Sequence, residues 1–139
     1  MDYDEQWAKR NMTELSIDAR RRHKMLLMTD DQTWQNVVRH TLPEGWEVTA
    51  TTDLDSLGDF AQLLLHRFIF LDLDAVSDTF DPQDAIRQIR MDWMLNVPIF
   101  CFGGSADERD LARSNRADRF FERTEATERL LQFCQQFGW

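Results

Sequence analysis

The sequence predicts an α/β domain, a doubly wound five-stranded parallel sheet covered by helices on both faces as a three-layer sandwich. Three observations carry this prediction. First, Phe68-Ile69-Phe70-Leu71-Asp72-Leu73-Asp74 is an unbroken apolar run that ends abruptly in carboxylates, the pattern of a parallel strand buried on both faces. Second, strand-like runs alternate with stretches of helical periodicity five times, with neither repeat nor linker, which favours parallel strands joined by helical crossovers. Third, 139 residues of which 42% are hydrophobic suffice for one domain with its own core.

Each element has its own signal. Lys24 to Met28 is the first apolar strand. A helix over Gln32 to Leu42 follows, with Trp34, Val37, Val38, Thr41 and Leu42 as one face, and Pro43-Glu44-Gly45 ends it. Trp46 to Thr51 alternates and carries β-branched residues, so it is the second strand. Leu57, Phe60, Ala61 and Leu64 are spaced as the inward face of a second helix, capped by Asp55 or Ser56. Phe68 to Leu73 is the third strand, and Pro82 suits the first turn of a third helix with Ala85, Ile86, Ile89 and Trp93 inward. Val97 to Phe102 is the fourth strand. Gly103-Gly104 then turns the chain, and Ser105 with Glu108 has capping-box spacing for a helix over Ala106 to Ser114. Phe120-Phe121 marks a short fifth strand, and Ala126 to Phe137 a last helix with Leu130, Leu131, Cys134 and Phe137 inward. Residues 1–23 stand apart from the domain of residues 24–139. They are polar, end in Arg20-Arg21-Arg22, and read either as a tail or as a short helix through Trp7, Met12 and Leu15.

Composition excludes several functions. The formal net charge is -9, so the surface repels nucleic acid and acidic membranes. No apolar run reaches the roughly 20 residues that span a bilayer, and no signal-peptide pattern opens the chain. Cys101 and Cys134 fall on apolar faces without a CxxC or a disulfide framework, which favours buried thiols in a reducing compartment, the cytoplasm. His23, His40 and His66 show no metal-ligand spacing and are expected at the surface or an interface.

Chemistry concentrates at the strand ends. In open α/β sheets, sites form at the carboxyl ends of the strands. Asp72 and Asp74 lie at that edge after the third strand, and Asp30-Asp31 after the first. Two acidic clusters there suggest a shared site for a divalent cation or a phosphoryl group.

From Lys24 to Phe137 the chain resembles the response-regulator receiver domain, a flavodoxin-like, CheY-like fold. Lys24-Met-Leu-Leu-Met-Thr-Asp30-Asp31 looks like that family's first strand and acidic turn, and Phe70-Leu-Asp72-Leu like its phosphoacceptor strand. Val97-Pro-Ile-Phe-Cys-Phe-Gly-Gly resembles the fourth strand, and Ala117 to Leu131 follows the fifth strand and last helix without a gap. The resemblance implies Asp72 as phosphoacceptor and Asp30 and Asp72 as ligands of Mg²⁺, with waters and a backbone carbonyl near Asp74. It also implies Phe120 as the switch aromatic. Asp30 is equally suited to cap the helix that carries Trp34, and Asp31 and Asp74 are expected to be solvent-exposed or capping.

The departures are chemical. Thr29 and Asp30 stand at the family's paired acids, so one carboxylate is missing. Gly103 stands at the position of the hydroxyl that binds the acyl phosphate, and Arg123 at that of the lysine, followed by Thr124 instead of proline. Arginine is not a neutral replacement for lysine, because its planar fork is bulkier and docks differently. Asp72 therefore reads either as a phosphoacceptor or as a retained, solvent-facing acid at a strand end, open to pairing with Arg123.

The resulting expectation is a degenerate receiver, or pseudo-receiver, that is not an enzyme. It acts as a protein–protein interaction module in two-component signalling, with phosphorylation weakened or absent. The partner, be it a kinase, an effector or another regulator, is expected on the face of helix four, strand five and helix five. Phe120, Leu130, Phe137 and Trp139 mark that face, which could also pair two copies of the chain. With no effector domain after Trp139, output is expected to pass through another protein or the N-terminal segment. The alternative is a working regulator phosphorylated on Asp72 by a histidine kinase with Mg²⁺. A further alternative is a haloacid-dehalogenase-like phosphatase with Asp72 as nucleophile and Asp74 as acid/base. Against that reading, the motif falls on the third strand and the later lysine and acidic pair are not evident.

Overall fold

A computed structural model of the chain describes residues 23–137. The predicted N-terminal segment and Trp139 lie outside the described residues. Five parallel strands form one sheet in the order β2-β1-β3-β4-β5: β1 (His23–Met28), β2 (Trp46–Ala50), β3 (Phe68–Asp72), β4 (Ile99–Phe102) and β5 (Arg119–Phe121). The helices are α1 (Gln32–Thr41), α2 (Phe60–Leu63), α3 (Pro82–Arg87), α4 (Ala106–Ser114) and α5 (Ala126–Gln136). This is the doubly wound, flavodoxin-like sandwich that the sequence predicts.

The alternation of the central strands divides the core into two unlike halves. Met25, Leu27, Phe68, Phe70, Phe100 and Phe102 face α1 and α5, while Leu26, Met28, Ile69, Leu71, Ile99 and Cys101 pack on the opposite face beneath α3 and α4. The first face is aromatic: Phe100 stacks on Phe133 of α5 at 4.0 Å between centroids, and Phe70 meets Phe102 edge-on at 4.7 Å. Each such pair adds about 0.5–1.5 kcal/mol beyond area burial. Cys101 and Cys134 are both buried free thiols, and burial pushes the Cys134 thiol up to about 12.

The second helical segment differs from expectation. Residues 54–64 do not form one helix capped at Asp55 or Ser56. A 3₁₀ turn (Leu54–Leu57) capped by Asp53 is followed by the single-turn α2, capped by Asp59. Gly58, at φ +102°, separates the two, a conformation that only glycine adopts freely. The register shift buries Leu54 and Leu63 and leaves Phe60 and Leu64 about half exposed, at 51% and 54%. Smaller corrections follow the same logic. Val38 is buried but Val37 is exposed, and Leu131 of α5 is exposed rather than inward. His66 is buried rather than at the surface, its Nδ1 against the Gln62 and Leu63 carbonyls and its Nε2 3.1 Å from Thr49 Oγ1.

Two further expectations hold. Ser105 and Glu108 complete a reciprocal capping box, and Pro82 sits in the first turn of α3 behind the Asp81 cap. The helix then widens into a π turn (Gln88–Asp92). From that turn the buried Arg90 donates to the Arg116 carbonyl, the Leu95 carbonyl and Asp118 Oδ2. Asp118 also accepts from the Ile99 amide, so one ion pair fastens α3 to the entries of β4 and β5.

Candidate functional site

The carboxyl ends of β1, β3 and β4 meet along one edge, and three short turns place the polar groups there. Asp72 is the last residue of β3 and is almost wholly buried. A buried carboxylate is costly unless its oxygens are bonded, and here each has a donor. Thr29, one residue past β1, donates its hydroxyl to Asp72 Oδ2 at 2.8 Å. Arg123 Nη1 donates to Oδ1 at 2.8 Å, and the Asp74 amide donates to the same oxygen at 3.0 Å. Asp72 pairs with Arg123, but it is buried and not the solvent-facing acid that the sequence suggested.

Arg123 opens the 3₁₀ turn (Arg123–Glu125) between β5 and α5, and its fork reaches across the edge. Besides Asp72, it donates to Asp31 Oδ2 at 3.3 Å and Asp74 Oδ2 at 3.4 Å. Its Cζ lies 5.6 Å from the Trp34 ring and 5.4 Å from the Phe102 ring, distances at which a cation is attracted to the aromatic face. Burial pulls the guanidinium pKa down, but its bond and attraction to Asp72, then Asp74 and Asp31, outweigh this and raise it. The group is a fixed positive charge.

Of the two acids after β1, Asp31 caps α1 by accepting from the Trp34 amide at 3.1 Å. Asp30 does not take that role. It is exposed and has no hydrogen bond or ion pair to another described residue. Thr29 is held in turn by the Asp31 amide on its hydroxyl and by Gln35 Nε2 on its carbonyl.

Gly103 and Gly104 follow β4 with φ of +73° and +80°. A Cβ on Gly103 would run into the Asp74 carboxylate, whose Oδ1 accepts from the Gly104 amide at 2.9 Å. The position that carries a hydroxyl in receivers is therefore closed here by its backbone conformation and by Asp74. Phe120, on β5, lies half-buried with the Arg113 guanidinium 4.8 Å from its ring. Beside it Arg109 pairs with Glu122 at 2.9 Å, and Arg129 covers Phe121 at 5.4 Å. Leu130, expected to mark the interaction face, is instead fully buried in the core and offers nothing to a partner, while Phe137 packs against the aromatic core and is partly exposed.

Sequence reasoning placed Asp72 and Arg123 in one site and offered Asp31 as exposed or capping, which its cap on α1 bears out. It missed Thr29 as a donor to Asp72 and the pairing of Asp31 and Asp74 with Arg123. The residues present do not fit Mg²⁺, which takes six oxygens at about 2.0–2.1 Å in near-octahedral order. Both Asp72 oxygens are bonded to donors, a guanidinium stands among the acids, and no cluster of three or more His, Cys, Asp or Glu among the described residues could hold a metal ion. Nor is any helix of the described residues long and apolar enough to cross a membrane.

No family model matches the chain, and no curated protein matches it. Solved structures do. A response regulator signal receiver domain from Bermanella marisrubri matches with a TM-score of 0.67 at 20% identity, covering 82% of this chain and 96% of that one. The Vibrio cholerae chemotaxis protein CheY4 matches with a TM-score of 0.65 at 22% identity, over 83% of this chain and 98% of its own. The Mn²⁺-bound form of response regulator Rcp1 matches with a TM-score of 0.60 at 14% identity, covering 81% and 92%. Strand order, crossovers and these likenesses agree: the chain has the fold of the response-regulator receiver domain.

Proposed function

We propose that the protein is a receiver-fold interaction module of two-component signalling that works without phosphorylation of Asp72, and that it is not an enzyme. One observation carries the proposal. The carboxylate that would accept a phosphoryl group is almost wholly buried and already accepts from Thr29 on one oxygen and from Arg123 and the Asp74 amide on the other, which seals it from an incoming phosphoryl group. Nucleophilic attack needs a free oxygen lone pair aimed at phosphorus, with cations to neutralise the developing charge. Here the nearest fixed cation is spent on Asp72 itself. The position that would pull a phosphorylated state into a new conformation is Gly103, which has no hydroxyl to do so.

Arg123 ties the β5–α5 turn to the ends of β1 and β3, and Arg109 of α4 pairs with Glu122 just after β5, so α4, β5 and α5 are held in one arrangement. Docking on that face, through the partly exposed Phe120 and Phe137, does not then wait for a covalent signal. The partner is another signalling protein or a second copy of the chain, and the net negative charge disfavours nucleic acid. A reducing, cytoplasmic setting suits two buried free thiols.

Intact mass after incubation with acetyl phosphate and Mg²⁺, beside Asp72→Asn, tests this. The expected result is no phosphate-sized gain in either protein. A gain in the wild type that Asp72→Asn abolishes would replace the proposal with a working phosphorylated regulator. Release of phosphate from a generic phosphomonoester would replace it with a phosphatase that uses Asp72 and Asp74.

A further inference from the structure

We propose that the acidic edge carries its own cation: the Arg123 guanidinium holds the place among the strand-end acids that a divalent ion would need, and the protein keeps its native state without one. The inference builds on the reading of Asp72 as a sealed acid and goes further, to the ion dependence of the whole site.

The ends of two strands, β1 and β3, bring Asp31, Asp72 and Asp74 around one fork, at 3.3, 2.8 and 3.4 Å from its nitrogens. A guanidinium is flat and spreads its charge over five N–H donors, so it can bond carboxylates that lie too far apart to share one small ion. The rings of Trp34 and Phe102 give it two aromatic faces as well. Thr29 completes the arrangement by standing where a further acid would raise the charge. Its hydroxyl offers Asp72 a hydrogen bond, whereas a carboxylate there would face Asp72 as a like charge. A divalent ion entering this edge would have to displace the guanidinium from Asp72 while lying close to it, with like charges opposed. Asp30, exposed beside the site, is not enough to reverse that balance.

The test is thermal unfolding of the full chain with and without millimolar Mn²⁺, for the wild type, Arg123→Ala and Arg123→Ala/Asp72→Asn. Electron paramagnetic resonance of added Mn²⁺ counts bound ions in parallel. The wild type is expected to unfold at the same temperature with and without the ion and to bind none saturably. Arg123→Ala is expected to unfold at lower temperature, because three carboxylates then face one another, and to regain several degrees as Mn²⁺ is added. The double variant is expected to lose that recovery. One Mn²⁺ held per wild-type chain overturns the proposal whatever the variants do, so a variant that fails to fold leaves a decisive measurement. An Arg123→Ala protein that folds but ignores Mn²⁺ overturns it too. No phosphodonor or phosphomonoester is present, so failure here is separate from the mass gain or phosphate release that would overturn the proposed function.

Discussion

Thr29 gives its hydroxyl hydrogen to Asp72 across 2.8 Å, and neither residue reaches solvent. A buried carboxylate that loses a donor bears the desolvation cost without compensation, about 1–3 kcal/mol or more. Thr29→Val keeps the shape and removes the donor, so urea denaturation at neutral pH should show a loss of about that size. In an Asp72→Asn background the same substitution should cost less, since the acceptor is then neutral. Equal costs in the two backgrounds would mean that the contact does not stabilise the edge.

Gly103→Ser restores the hydroxyl that receiver domains carry, and it is expected to harm the protein. The new side chain would need a left-handed φ of +73° and would collide with Asp74. Strain of this sort costs about 1–3 kcal/mol. Pairing it with Asp74→Ala should recover the part due to collision and leave the backbone part. Calorimetric midpoints of the single and double variants measure both.

Arg90→Met tests the ion pair on the far side of the sheet. The substitution removes three hydrogen bonds, to Arg116, Leu95 and Asp118, from a side chain only 5% exposed. Because the Asp118 carboxylate left behind is about half open to water, the expected loss is about 1–3 kcal/mol, from the unpaired buried acceptors. Hydrogen exchange should locate it at the start of β4, because the Ile99 amide depends on Asp118. A uniform rise in exchange, with Ile99 no more affected than other core amides, would contradict the local role.

His66 sets a pH dependence whose sign is fixed. Burial is the largest influence on the ring and lowers its pKa from the model-peptide value of 6.5. The unfolded chain therefore takes up a proton near pH 6.5 while the folded one still resists. Stability is full above that value and declines as pH falls through it towards the lower folded value. Carboxylates titrate mostly below this window, so His66→Gln should flatten the stability curve between pH 6.5 and 5. An unchanged slope would assign the decline to other groups.

How much of this was legible depended on how local each signal was. The apolar runs of β1, β3 and β4, the Ser105 cap and Pro82 are properties of a few adjacent residues, and they held. The Leu57, Phe60, Leu64 spacing was also local but misled, because it fits a helical face and says nothing of Gly58 breaking it. Asp30 and Asp31 are neighbours of the same type, and only the turn geometry decides which one caps α1. Asp72 and Arg123 could be matched through the resemblance to receivers. Thr29 as a donor and Asp74 as the group filling the space beside Gly103 needed the ends of three strands laid side by side. No spacing along the chain encodes that contact.

Arg123 lies 92 residues after Asp31 and 51 after Asp72 in the chain. Synthesis therefore delivers the acids of the edge long before the group that neutralises them. Until the fifth strand docks, Asp31, Asp72 and Asp74 have neutral donors but not the Arg123 cation to offset their mutual repulsion, and the earlier strands have reason to stay apart at that end. The guanidinium acts as a closing clasp between the first and last β-α units. A nascent or truncated chain that stops short of residue 123 should thus be open to proteases along this edge, and the domain becomes a single cooperative body when its final unit arrives.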